Sequence, residues 1–155
     1  MFAILSAGWV LPSLFAPALA GSIVDTQRGI VFIATGSPAD DFYGVDRPGD
    51  NLYANCVVAL DASTGKELWN RKVDEHPAAR ATGSPTLHAG RLYVVTSGVS
   101  EETAAAMPDY ECCTFRGSLT ALDANTGAIV WKTYTVDEPK RRGTSSSGKP
   151  LWGPA

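Results

Sequence analysis

Charge is what the sequence has least of: no charged side chain precedes Asp25, and charged residues make up only 19% of the 155. The 13 Lys+Arg against 16 Asp+Glu give a net charge of −3. No basic surface therefore points to nucleic acid or to an anionic membrane as a partner. Histidine occurs only as His76 and His88, each in a turn-like context beside Pro77 or Gly90, without metal-ligand or triad spacing. Both read as solvated. Three Cys are too few for a disulfide-rich miniprotein, and the absence of Cys-x-x-Cys-His excludes covalent haem. Gly-x-Gly-x-x-Gly and P-loop patterns are missing, which removes nicotinamide and nucleotide chemistry. Long apolar runs are lacking too. Residues 2–16 are largely apolar, but Gly8 and Pro12 interrupt them and Pro17 follows, short of the ~20 residues of a stable membrane span.

That first stretch admits two readings. Ala18-Leu19-Ala20 fits the small-residue pattern of a signal-peptide cleavage site, which makes residues 1–20 a leader and the protein periplasmic or secreted. No Lys or Arg stands in its n-region, so the alternative is the truncated tail of an upstream segment.

What is abundant is turn chemistry: 15 Gly and 10 Pro sit among 45% hydrophobic residues, a composition for many short strands. Self-comparison gives the organisation. Ala59-Leu60-Asp61-Ala62-Ser63-Thr64-Gly65 with Trp69 recurs 62 residues later as Ala121-Leu122-Asp123-Ala124-Asn125-Thr126-Gly127 with Trp131. Weaker matches precede each copy, at Gly21-Ser22 and Gly29–Thr35, then at Gly83-Ser84 and Gly90–Thr96. Asp61 and Asp123 can accept from backbone N–H groups two and three residues on, closing a turn. Gly65 and Gly127 supply the positive φ such a hairpin loop needs at its end. Each returning strand carries a large indole to bury against a neighbouring sheet. Four short strands ending in a docking Trp describe a β-propeller blade. The expected fold is all-β, a partial propeller of two four-stranded antiparallel blades over 21–77 and 83–139. Residues 140–155 are expected to be a solvated linker, with Lys140-Arg141-Arg142, and the start of a next blade.

The Ala-Leu-Asp-Ala-x-Thr-Gly-x-x-x-Trp element resembles the tryptophan-docking blade of pyrroloquinoline quinone (PQQ)-dependent dehydrogenases. Residues 30–69, with Thr35-Gly36-Ser37-Pro38, Asp41-Phe42-Tyr43-Gly44 and Arg47-Pro48-Gly49-Asp50-Asn51-Leu52-Tyr53, resemble the sugar- and alcohol-oxidising branches. Residues 70–155 are more similar to the polyvinyl-alcohol dehydrogenase branch, through Val73-Asp74-Glu75-His76-Pro77, Thr82-Gly83-Ser84-Pro85, Cys112-Cys113-Thr114-Phe115-Arg116-Gly117 and Leu151-Trp152-Gly153-Pro154. The two halves look like different branches joined near Trp69. Family members are similar in closing a ring of about seven or eight blades, within the 4–8 usual for propellers, and two blades cannot close one. The alcohol-oxidising branch also follows its docking Trp with an Asp-x-Trp-Asp carrying the catalytic base. Here Asn70-Arg71-Lys72-Val73-Asp74 stands instead, so no catalytic residue is expected in this chain.

The resemblance implies a site around Cys112 and Cys113, whose vicinal disulfide ring packs on the quinone in family members. Consecutive Cα atoms lie ~3.8 Å apart, below the ~4.4 Å lower limit of ordinary disulfides. Two reduced thiols, or one paired with Cys56, stay open beside the vicinal bond. PQQ carries three carboxylates, to which the Arg116 fork is chemically suited. The family couples its quinone to Ca²⁺ ligated partly by a Glu, and oxygen ligands suit that ion. By resemblance Glu101 then belongs with the cofactor and Glu102 with the metal, although a solvated insertion loop is the plain alternative for both. Asp40, Asp41, Asp46 and Asp50 lack the EF-hand order and read as turn caps.

Two functions remain. One is a partial PQQ-dependent alcohol dehydrogenase that supplies cofactor-wall residues, acts with an alcohol substrate and an external electron acceptor, and is inactive alone. The other is a non-catalytic exported propeller scaffold or binding module, which would not need the Cys112–Arg116 motif. On either reading, two open blades require remaining blades or self-association.

Overall fold

The computed structural model describes residues 21–36, 53–98, 101 and 110–153. They form antiparallel sheets throughout, as an all-β partial propeller requires. The first sheet runs in chain order through β1 (Ser22–Asp25), β2 (Ile30–Ala34), β3 (Cys56–Asp61) and β4 (Glu67–Lys72). Its sequence dictates this: Ile30-Val31-Phe32-Ile33-Ala34 is β-branched and aliphatic, and alternate residues are buried. Gly29, at φ 67°, closes the first hairpin. There the Asp25 carboxylate accepts from the N–H groups of Gln27 and Arg28 at 3.0 and 3.1 Å.

The second sheet contains β5 (Arg80–Ala81), β6 (Thr86–His88), β7 (Arg91–Ser97), β8 (Ser118–Asp123) and β9 (Ile129–Tyr134). It departs from a plain four-strand blade in one respect. β5 and β6 both pair with β7, β5 at Thr96-Ser97 and β6 at Arg91–Tyr93, so the first strand position is filled by two pieces. Pro85 lies between them, fully buried, and its missing N–H cannot extend a ladder. Residues 140–153 carry regular structure where a solvated linker was expected to lead into a next blade. The expected linker forms a hairpin of β10 (Lys140–Thr144) and β11 (Pro150–Gly153), turned at Gly148 with φ 85°. Lys140-Arg141-Arg142 lies exposed on its first strand.

The same devices stand in both large sheets. Asp61 Oδ1 accepts from Ser63 N and Thr64 N at 3.0 and 2.8 Å, and Asp123 Oδ1 accepts from Asn125 N and Thr126 N, each at 3.0 Å. Gly65 and Gly127 take φ values of 71° and 69°. A register shift falls between Ala59 and Leu60 in one sheet and between Ala121 and Leu122 in the other. Trp69 therefore pairs with Ala59, and Trp131 with Ala121.

One core joins the sheets: Phe32, Val57 and Trp69 pack with Leu92, Val94 and Leu122. Trp69 is the key, only 9% exposed, with its ring 5.7 Å from that of Phe32. Its Nε1 donates to Ala124 O at 3.2 Å, and the indole lies on Gly127, where an added Cβ would sit 2.6 Å from its Cε3. Arg71 Nε donates to Gly127 O at 2.9 Å, and Gly21 N to Ser84 Oγ at 2.9 Å. Removing such an indole costs ~3–5 kcal/mol in a packed core. Asp40, Asp41, Asp46 and Asp50 lie outside the described residues. Among the described residues no helix is long and apolar enough to cross a membrane.

Candidate functional site

At one end of the two sheets, the segment Tyr110–Arg116 crosses from the insertion after β7 to the start of β8. Cys112 and Cys113 are joined here by a disulfide across a cis peptide, while Cys56 is buried at the start of β3, its thiol pKa pushed up by burial. The cysteine pair is gripped by β11. Cys113 N donates to Trp152 O at 3.1 Å, and Trp152 N donates to Cys112 O at 2.6 Å. Trp152 Nε1 in turn reaches Glu111 Oε1 at 2.5 Å. The hairpin over residues 140–153 is thus the clamp of the cysteine loop.

Glu101 holds the loop from the other side. It is 5% exposed, and its carboxylate accepts from Thr114 N at 2.7 Å, Phe115 N at 2.8 Å and the Tyr110 hydroxyl at 3.1 Å. Burial, then this hydrogen bond, push the Tyr110 phenol pKa up. Both oxygens of Glu101 therefore face loop donors, the arrangement of a positioning residue. Glu102, expected beside it as a metal ligand, lies outside the described residues.

His76 is a correction to the sequence reading, which left it solvated. Its Nδ1 accepts from Ala78 N at 3.1 Å, which fixes Nε2 as the protonated nitrogen of the neutral ring. That Nε2 lies 2.9 Å from Thr114 Oγ1, and the ring meets Phe115 edge-on with centroids 5.4 Å apart. Asp74 supports it by accepting from His76 N at 2.8 Å and by an ion pair with Lys132 of β9. The signal was in the sequence, since Asp74-x-His76 is an Asx turn. His88, by contrast, is exposed on β6.

Arg116 is half-buried, stacked 3.9 Å above the Tyr134 ring, with Nε donating to Val136 O at 2.9 Å. Its guanidinium plane is thus oriented by β9 and the residues after it. At the end of β7, Ser97 Oγ is buried with no hydrogen-bonding partner among the described residues, and the next residue, Gly98, lies under the Phe115 ring. The structure thus gathers Cys112, Cys113, Glu101 and Arg116 at one end of the second sheet and adds His76, Trp152 and Tyr110 to them. The open cavity of about 400 Å³ lined by Val24–Arg28 and Leu87–Gly90 is at the opposite end, among the β1–β2 and β6–β7 turns.

Two packed blades with a docking Trp, and a linked cysteine pair at one end, define part of a β-propeller. Comparison agrees: a family described as the β-propeller domain of PQQ glucose/ethanol/alcohol dehydrogenases matches residues 18–80. The particular likeness is to the polyvinylalcohol dehydrogenase of a Pseudomonas species, at 48% identity over 105 residues, 66% of this chain and 16% of that protein. The quinohemoprotein alcohol dehydrogenase ADH IIB of Pseudomonas putida is 31% identical over 60% of the chain and 12% of its own length. Among solved structures, a europium-containing methanol dehydrogenase superposes with a TM-score of 0.50 at 28% identity, over 77% of this chain and 15% of that one. The chain is similar to these PQQ-dependent dehydrogenases over a propeller segment and spans less than a fifth of their length.

Proposed function

We propose that this chain supplies a wall of a PQQ site in alcohol oxidation, without the base that takes the substrate proton. The observation that carries this reading is the Cys112–Cys113 pair, clamped by Trp152 and followed by the oriented Arg116. The loop's backbone is held by Trp152 on one side and Glu101 on the other, which supports a preorganised wall.

The residues present suit the quinone. Arg116 offers a forked cation to one of its carboxylates. The buried Ser97 hydroxyl has, among the described residues, no hydrogen-bonding partner of the kind a buried polar group normally has. The linked cysteines offer a compact apolar surface for a planar ring. When bound, PQQ accepts the hydride equivalent of an alcohol and passes electrons to an external acceptor. Glu101 contributes by holding the loop, since its oxygens already face Thr114, Phe115 and Tyr110. Among the described residues no group of three His, Cys, Asp or Glu side chains could hold a metal ion. A Ca²⁺ ligand is accordingly assigned only to Glu102, on the family resemblance. An exported location follows if residues 1–20 act as a leader.

The test is titration of PQQ against the chain, Arg116→Ala and Arg116→Lys, with dye-linked alcohol oxidation measured beside it. Weak binding that Arg116→Ala abolishes and Arg116→Lys only partly restores is expected, with no turnover. Equal binding by all three proteins would remove Arg116 from the site. Turnover by the chain alone would show that it carries the base.

A further inference from the structure

The chain crosses from the first sheet to the second through residues 73–79, and His76 is the half-buried residue of that crossing, set between the exposed Glu75 and Pro77. Every polar group of His76 is engaged. Its N donates to Asp74 Oδ1 at 2.8 Å, and its O accepts from Ala79 N at 3.0 Å. The ring bridges two segments: Nδ1 accepts from Ala78 N at 3.1 Å, and Nε2 lies 2.9 Å from Thr114 Oγ1. Thr114 follows Cys113 directly and stands two residues before Arg116, while its own N–H goes to Glu101. Holding its side chain therefore holds the stretch between the cysteine pair and the guanidinium. Both sides of this contact belong to the one chain.

From a ring that needs a lone pair on one nitrogen and a proton on the other, we infer that His76 is a positioning residue for the cysteine loop that works only as the neutral imidazole. Proton uptake puts a hydrogen on Nδ1, which then meets the Ala78 N–H where a lone pair is required. Ala78 is 6% exposed, so water cannot readily take up the mismatch. The ring leaves its seat, and Thr114 Oγ1 loses its hold with it. Histidine is the side chain that ordinarily changes charge between about pH 5 and 8. The charged groups around it are already committed. Asp74 pairs with Lys132 of β9, Glu75 pairs with Lys72, and Arg80 donates to Pro77 O and Ala79 O. On the loop, Glu101 accepts from Tyr110, Thr114 and Phe115, Glu111 from Trp152, and Arg116 donates to Val136 O. Each of these carboxylates already holds a cation or a donor, so none is reserved for an imidazolium. The loop is thus ordered while His76 is neutral and loosens as it charges. What that order serves rests on the PQQ reading; the latch itself does not.

Hydrogen exchange at single residues of the full chain, without PQQ and between about pH 8 and 5.5, tests it above the ordinary carboxylate range. Protection factors remove the intrinsic pH dependence of exchange. They should fall about tenfold at Ala78, Thr114 and Phe115 together as the His76 ring titrates, followed by its ring nitrogen resonances. His76→Asn keeps an acceptor for Ala78 N but falls short of Thr114, and His76→Gln does the reverse. The first should loosen only the loop and the second only Ala78, each without pH dependence. The parent profile needs no substitution, so a misfolded variant leaves the test standing. Loop protection that stays flat while the ring titrates, a ring that stays neutral throughout, or folded variants that both loosen both positions would each overturn the inference. PQQ that binds at neither pH, with the loop still responding, would refute the PQQ reading alone.

Discussion

Replacing Gly127 and Gly65 separately by Ala measures the docking of Trp69 without disturbing anything else in the comparison. Both glycines end an Asp-x-x-Thr-Gly turn, with φ of 69° and 71°, so an Ala at either meets the same backbone penalty of ~1–2 kcal/mol. The surroundings differ. A Cβ at Gly127 would lie 2.6 Å from Trp69 Cε3 and 2.8 Å from Cδ2, whereas one at Gly65 meets open space. The ring cannot retreat freely, because Phe32 lies behind it and its Nε1 is bonded to Ala124 O. Overpacking of this kind costs ~1–3 kcal/mol, so Gly127→Ala should destabilise by that much more than Gly65→Ala. Urea unfolding at matched, low protein concentration gives both values, with the m-value checking that the transition itself is unchanged. Repeating Gly127→Ala in a Trp69→Ala background should erase the excess, since the clash has lost its partner. Equal destabilisation by the two Ala variants would refute the docking geometry.

Acid should loosen the same turns. The Asp61 carboxyl is held down to about 2 by the hydroxyls of Ser63 and Thr64 and the Thr64 N–H, below its ordinary 3.8. Asp25 and Asp123 are lowered too, led by the Arg28 hydrogen bond and the Thr126 hydroxyl respectively. Depressed carboxylates stabilise fully above the unfolded value and lose that contribution as pH falls toward the folded one. Unfolding midpoints should therefore decline between pH 3.8 and about 2, and Asp61→Asn should flatten part of the decline; an unchanged slope would contradict the assignment. Glu101→Gln removes a charged acceptor from Thr114 N and Phe115 N, bonds worth ~1.5–3 kcal/mol each. Amide exchange at those two positions should rise by about tenfold or more, and unchanged exchange would show that the loop is held elsewhere.

The blades were legible because their determinants are local. An Asx turn, a positive-φ glycine and a β-branched run act within a few residues, and a 62-residue recurrence repeats them in order. The Asp61 and Asp123 turns follow that expectation bond for bond. Where expectation and structure part, the cause is local competition. Pro85 splits the first strand of the second sheet into β5 and β6 because it has no N–H to offer β7. Ser145 and Gly148 turn the polar 140–155 stretch back on itself: Gly148 N donates to Ser145 O at 3.0 Å, and Ser145 N to Lys149 O at 2.8 Å. Composition alone, rich in Gly and Ser, reads as linker over residues 140–150.

The site is different in kind. Its residue types were visible, since Cys112, Cys113 and Arg116 stand together in sequence, but its wiring depends on distant segments. His76 reaches Thr114 across 38 residues, and the hairpin carrying Trp152 comes back to Cys112 from the far side of β8 and β9. Nothing in a sequence announces where a carboxylate's acceptor capacity is spent. Glu101 shows the consequence. Read by residue type it is a candidate for the cofactor; read by its partners it supports the loop that carries the cysteines. An anion with three donors already on it gains little from a fourth partner and would lose much by releasing the first three. Arg116 is in the opposite condition. An Nε bond to Val136 O and a stack on Tyr134 orient the guanidinium plane without spending a charge on it. A cation that is oriented but lacks an anionic partner in those contacts is what a carboxylate-bearing ligand needs. That difference between two neighbouring charges is why the binding test rests on Arg116 and the exchange test on Glu101.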